Sequence, residues 1–76
     1  MTVIELIERA SARLDEAGVS FGQGTLNAFD EAAWLVLWSL GHPLDALDDV
    51  AAHPVGAADA SRADALVDSR ITMRLL

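Results

Sequence analysis

The sequence predicts an all-α domain, a small bundle of about four helices (three main, one short) with no sheet. Three observations carry that expectation. Apolar residues recur at three- and four-residue intervals in three long segments. The first two segments are bracketed by residues that open and close helices. No window alternates apolar and polar residues as a half-buried strand would.

Thr2-Val3-Ile4-Glu5 has capping-box spacing, with a hydroxyl for one orphan N–H and a carboxylate three residues on that reaches back. Val3, Ile7, Ala10, Leu14 and Ala17 continue as one stripe, and Gly18 stands where a left-handed residue closes a helix. A helix over residues 3–17 follows. On its surface Glu5 and Arg9 are spaced i,i+4, and Arg13 and Glu16 i,i+3, as local ion pairs would be.

Val19–Leu26 is a loop bearing Gly22 and Gly24. A dinucleotide-binding fingerprint would put its third glycine where Asn27 stands, and would follow a strand rather than a helix. The loop therefore reads as a tight interhelical turn with residues at positive φ.

Asn27 caps the second helix, and Asp30 and Glu31 complement the positive end of its dipole. At 100° per residue, Phe29, Ala32, Ala33, Val36, Leu37 and Leu40 share one broad face. Asp30, Glu31, Trp34 and Trp38 fall opposite, with Leu35 at the border. A surface helix carries polar residues on its outer face, so two tryptophans four apart are informative there. Two readings stand open: a second core layer in a helix buried on both sides, or a docking face for a partner. Gly41 and Pro43 end the helix.

Pro43–Val50 reads as one or two helical turns with Leu44, Leu47 and Val50 inward. Asp45, Asp48 and Asp49 form an exposed acidic edge that lacks the alternating ligands and central glycine of a calcium loop. His42 and His53 are turn histidines without evident co-ligands. From about Ala57 the chain is helical again, with a stripe of Ala60, Ala63, Val67 and Ile71 and Leu66 adjoining. Asp59 lies early and Arg70 and Arg74 late, as the dipole prefers. A helix that runs to Leu75-Leu76 with no closing glycine predicts a fragment of a longer polypeptide.

Composition narrows the function. With no cysteine, there is neither a disulfide staple nor a cysteine-based zinc site. A net charge of −7, with no lysine and five dispersed arginines, opposes direct nucleic-acid binding, which needs a cationic stripe. Such charge keeps a small domain soluble or steers a basic protein toward it. Charges interrupt the first 17 residues, unlike a signal peptide, and no run approaches a membrane span. The expectation is a cytoplasmic protein. Ser11, Ser20, Ser39, Ser61 and Ser69 occupy no nucleophile-elbow context. No catalytic constellation, metal set or cofactor cradle stands out, so the residues point to a binding or accessory module.

The block Ala17-Gly18-Val19-Ser20-Phe21-Gly22-Gln23-Gly24-Thr25-Leu26-Asn27-Ala28-Phe29-Asp30-Glu31-Ala32 resembles the amino-terminal domain of bacterial protein-glutamine N-methyltransferases, the PrmB and HemK family. The branch it looks most like modifies large-subunit ribosomal protein L-three. In that branch an aromatic-Gly-x-Gly-Thr loop leads through Asn and an aromatic residue into Asp-Glu-Ala. The likeness continues through Leu35-Val36-Leu37, Leu40 and Pro43-Leu44-Asp45, and more weakly to Arg70-Ile71. Gln23 stands where the branch commonly has histidine, and Phe29 where it commonly has tryptophan.

The resemblance implies a substrate-recognition domain that hands a basic ribosomal protein to its own catalytic domain. That domain would lie downstream and hold S-adenosylmethionine and an Asn-Pro-Pro-Tyr motif, neither of which occurs here. Under it, Asp30, Glu31, Trp34 and Trp38 are the candidate substrate contacts, and no catalytic, cofactor or metal residue is assigned. The alternative is a free-standing helical interaction module or small homo-oligomer, with the tryptophan face against a second copy.

Overall fold

A computed structural model describes residues 1–18 and 27–73, apart from the side chain of Met73. The expected turn over 19–26 and the residues 74–76 lie outside it. Four helices follow in order: α1 (Val3–Glu16), α2 (Ala28–Leu40), α3 (Leu47–Val50) and α4 (Ala57–Met73). No strand occurs among the described residues. The three long helices pack on one another, α2 and α4 both against α1 and against each other.

α1 begins where the sequence places it. The Thr2 backbone N–H donates to Glu5 Oε1 at 2.8 Å, and the Glu5 N–H donates back to Thr2 Oγ1 at 3.3 Å. Two further orphan amides are met from a distance. Val3 N–H donates to the His53 carbonyl at 3.0 Å and Ile4 N–H to that of Ala51 at 2.9 Å. Val55 N–H completes the clamp by donating to the Met1 carbonyl at 2.7 Å. The segment between α3 and α4 thus supplies acceptors that a free helix end would seek in water.

Both predicted glycine stops hold. Gly18 and Gly41 have φ of 67° and 77°. At Gly41 the amides of Gly41 and His42 fold back on the carbonyls of Trp38 and Leu37, at 3.1 and 2.9 Å, the double bond of a Schellman ending.

The core gathers Val3, Leu6, Ile7, Ala10 and Leu14 from α1, and Ala32, Leu35, Val36 and Leu37 from α2. Val50 of α3 and Ala63 and Val67 of α4 complete it. The expected stripes on α1 and α4 are its inner lines, with Leu6 added. Leu44 departs from expectation and is exposed. Helix begins only at Leu47, and Pro43–Asp45 is a turn closed by Ala46 N–H to the Pro43 carbonyl at 3.1 Å. Leu44 is therefore out of helical register with Leu47 and Val50.

The surface pairs expected within α1 do not form. Arg9 instead reaches Asp64 of α4 at 2.5 Å, and Arg13 reaches Asp64 at 3.4 Å and also Asp68. Glu5 is held by Thr2. Carboxylates on a neighbouring helix won these arginines from partners along the chain, joining α1 to α4.

Candidate functional site

α2 carries the surface that the fold leaves uncovered. Asp30, Trp34 and Trp38 are spaced i, i+4 and i+8, so they line up along one side of the helix. Trp34 is 46% and Trp38 63% exposed. The reading of the tryptophans as a second core layer therefore fails: α1 and α4 cover the other flank. Each indole would bury on the order of 200 Å² in a core. Leaving about half of that in water forgoes on the order of 2 kcal/mol per ring. Paired rings exposed along one helix mark a surface suited to a partner.

Two residues of α2 stand elsewhere than the helical wheel placed them. Glu31 was expected beside the tryptophans, but it is buried, 7% exposed, with the guanidinium of Arg70 across from it. Arg70 Nε lies 2.8 Å from Glu31 Oε2, and Nη2 donates to Oε1 at 3.5 Å. The core arc of α2 is turned toward Glu31 and Leu35 because α4 packs on that flank and brings a cation with it. Phe29, expected inward, is 42% exposed. Helical side chains lean toward the N-terminus, so a first-turn residue projects past the helix end rather than onto the core.

The stripe joins a shallow groove between α2 and α4, of about 280 Å³, lined by Trp38, Ser39, Arg62, Ala65, Leu66 and Ser69. Its α4 wall was not anticipated. The signal available was Arg62, Leu66 and Ser69 recurring at four and three residues along one flank of α4, beside the core stripe. Arg62 is held by Asp59 one turn earlier. The Asp30 N–H donates to Asn27 Oδ1 at 2.8 Å, so the cap fixes where the stripe starts.

Glu5 has its carboxyl held below its ordinary value of 4.5, first by the Thr2 backbone N–H and then by the Thr2 hydroxyl. It belongs to the cap of α1, not to the stripe. Among the described residues no three His, Cys, Asp or Glu side chains are grouped to hold a metal ion. No described helix is long and apolar enough to cross a membrane.

Comparison with known proteins supplies the remaining observation. No family model matches the chain, and no solved structure matches it significantly. Curated proteins named ribosomal protein uL3 glutamine methyltransferase do match. The one from Bordetella pertussis is 43% identical over 74 residues, 97% of this chain and 25% of the relative. That from Burkholderia pseudomallei is 36% identical over 74 residues, 97% of this chain and 24% of the relative. That from Neisseria meningitidis serogroup B is 50% identical over 46 residues, 60% of this chain and 15% of the relative. The chain spans about a quarter of the length of the relatives it matches along nearly its whole extent. With those identities and that near-complete alignment of its own residues, the chain belongs, as one segment, to the family of the ribosomal protein uL3 glutamine methyltransferases.

Proposed function

We propose that this chain is the substrate-recognition domain of a cytoplasmic protein-glutamine N-methyltransferase that modifies ribosomal protein uL3. The catalytic domain, dependent on S-adenosylmethionine, lies in another part of the same polypeptide. The observation that carries this reading is the alignment of 97% of the chain with about a quarter of enzymes bearing that name. No cofactor-binding residue is assigned to this chain. No chemical step is therefore assigned to this chain.

Its task is binding. Trp34 and Trp38 lose their water against the client, and Asp30 at the head of the stripe takes a cationic or N–H group beside them. Glu31, beneath α4, holds the helix that forms the other wall of the groove. The −7 charge of the chain favours approach of a basic ribosomal protein. Held this way, the client's glutamine reaches the transferase as an intramolecular reactant, with its freedom of movement already reduced.

Methylation of uL3 by the full-length polypeptide tests the reading. Trp34→Ala and Trp38→Ala together are expected to raise KM about tenfold or more, the loss of one hot-spot ring being worth at least about 1.4 kcal/mol. Unchanged kinetics in both variants would remove the stripe from recognition.

A further inference from the structure

A second open surface lies on the opposite side of α2's start, between it and α1. The groove there is shallow and open, with a volume of about 520 Å³. Glu8, Ser11, Ala12 and Asp15 of α1 line it, together with Asn27, Ala28 and Phe29 at the start of α2. None of the stripe residues Asp30, Trp34 or Trp38 lines it.

Its charge follows from how α1 divides its two flanks. Arg9 and Arg13 lie on the flank that faces α4, and Asp64 and Asp68 take them. Arg62 and Arg70 are taken by Asp59 and Glu31. Every described arginine is thus in an ion pair, while on the other flank Glu8 and Asp15 have no ion-pair partner among the described residues. Two unpaired carboxylates thus stand along a groove that also presents an aromatic ring, 42% exposed.

We infer that this groove binds an extended, basic polypeptide segment, one with arginine or lysine side chains three residues apart. Glu8 and Asp15 are seven residues apart on one side of α1, about 10.5 Å along the axis. A polyproline II segment returns a side chain to the same side every third residue, after about 9.3 Å. Long cationic side chains absorb the small mismatch. One cation pairs with each carboxylate, the stem of one lies along the small side chains of Ser11 and Ala12, and a guanidinium over Phe29 gains a cation–π contact. Charge of this sign excludes phosphate-bearing partners. The inference rests on this groove and these ion pairs and does not depend on the methyltransferase reading.

The test is titration of the chain with the peptide Gly-Pro-Arg-Pro-Pro-Arg-Gly, followed by amide chemical shifts at low ionic strength. Expected are saturable shifts on α1 and the start of α2, and about tenfold weaker binding in the double variant Glu8→Gln, Asp15→Asn. The variant Asp48→Asn, Asp49→Asn, which removes the same charge from α3, should change affinity less than twofold. All four positions are exposed, so the variants keep the fold. Equal weakening in the two variants would reduce the effect to net charge and overturn the site. So would the absence of saturable binding, or spermine binding with the same dependence on Glu8 and Asp15, which would make the groove a site for simple polyamines.

Discussion

At the scale of single residues, Glu31 and Arg70 show most about how this domain is built. A carboxylate 7% exposed is tolerable only beside a cation, and α4 brings one. Arg70→Ala is expected to cost about 2 kcal/mol in denaturant unfolding. That is below the range for a fully buried pair, because the Arg70 side chain keeps 26% of its surface in water. Replacing both, as Glu31→Leu with Arg70→Leu, should cost less than the single loss, since no buried charge is left behind. Glu5 gives a pH signature. Its folded value is depressed by Thr2, so its contribution is present above about pH 4.5 and is lost as pH falls through the lower folded value. Glu5→Gln should therefore be less stable than the parent at pH 7, and the difference should vanish on acidification, as read by thermal melts across that window.

At the scale of elements, local rules and tertiary partners share the control of each helix. α1 is opened by its own capping box and by carbonyls of Ala51 and His53, so its N-terminus is fixed twice. α2 is ended by Gly41 at φ 77°. A Cβ built there meets nothing within 4 Å, so Gly41→Ala isolates the backbone term. It is expected to lower stability by about 1–2 kcal/mol through left-handed strain alone, with the rest of the structure unchanged by amide shifts. The caps and stops were legible because they depend on neighbours in sequence. The ion pairs of Arg9 and Arg13 were not, because the Asp64 carboxylate that takes both is 55 and 51 residues away and outcompetes exposed local partners worth only tenths of a kcal/mol.

At the scale of the whole molecule, twelve buried apolar residues from four helices make the core, while the largest rings stay largely exposed. A chain of this size has only a few kcal/mol to lose, and leaving two indoles partly in water is a sizeable part of that. The isolated chain is expected to sediment as a monomer, with red-shifted tryptophan emission that acrylamide quenches readily. A dimer with blue-shifted, protected emission would instead favour the rival reading, in which a second copy covers the stripe.

What this sequence determined by itself is the kind and placement of its helices: caps at Thr2 and Asn27, stops at Gly18 and Gly41, and the inner lines of α1 and α4. Each of those is settled within a few residues, by hydrogen bonds and periodicity that the chain carries locally. Even the tryptophan stripe was visible as a pattern, though not whether it faced water. Tertiary structure decided that question, along with the rotation of α2 that buries Glu31 and exposes Phe29, and the division of α1 into an arginine flank and an acidic groove. Those outcomes depend on where α4 lies against the other two helices, and a helix's own 3.6-residue period does not specify which neighbour will cover which arc.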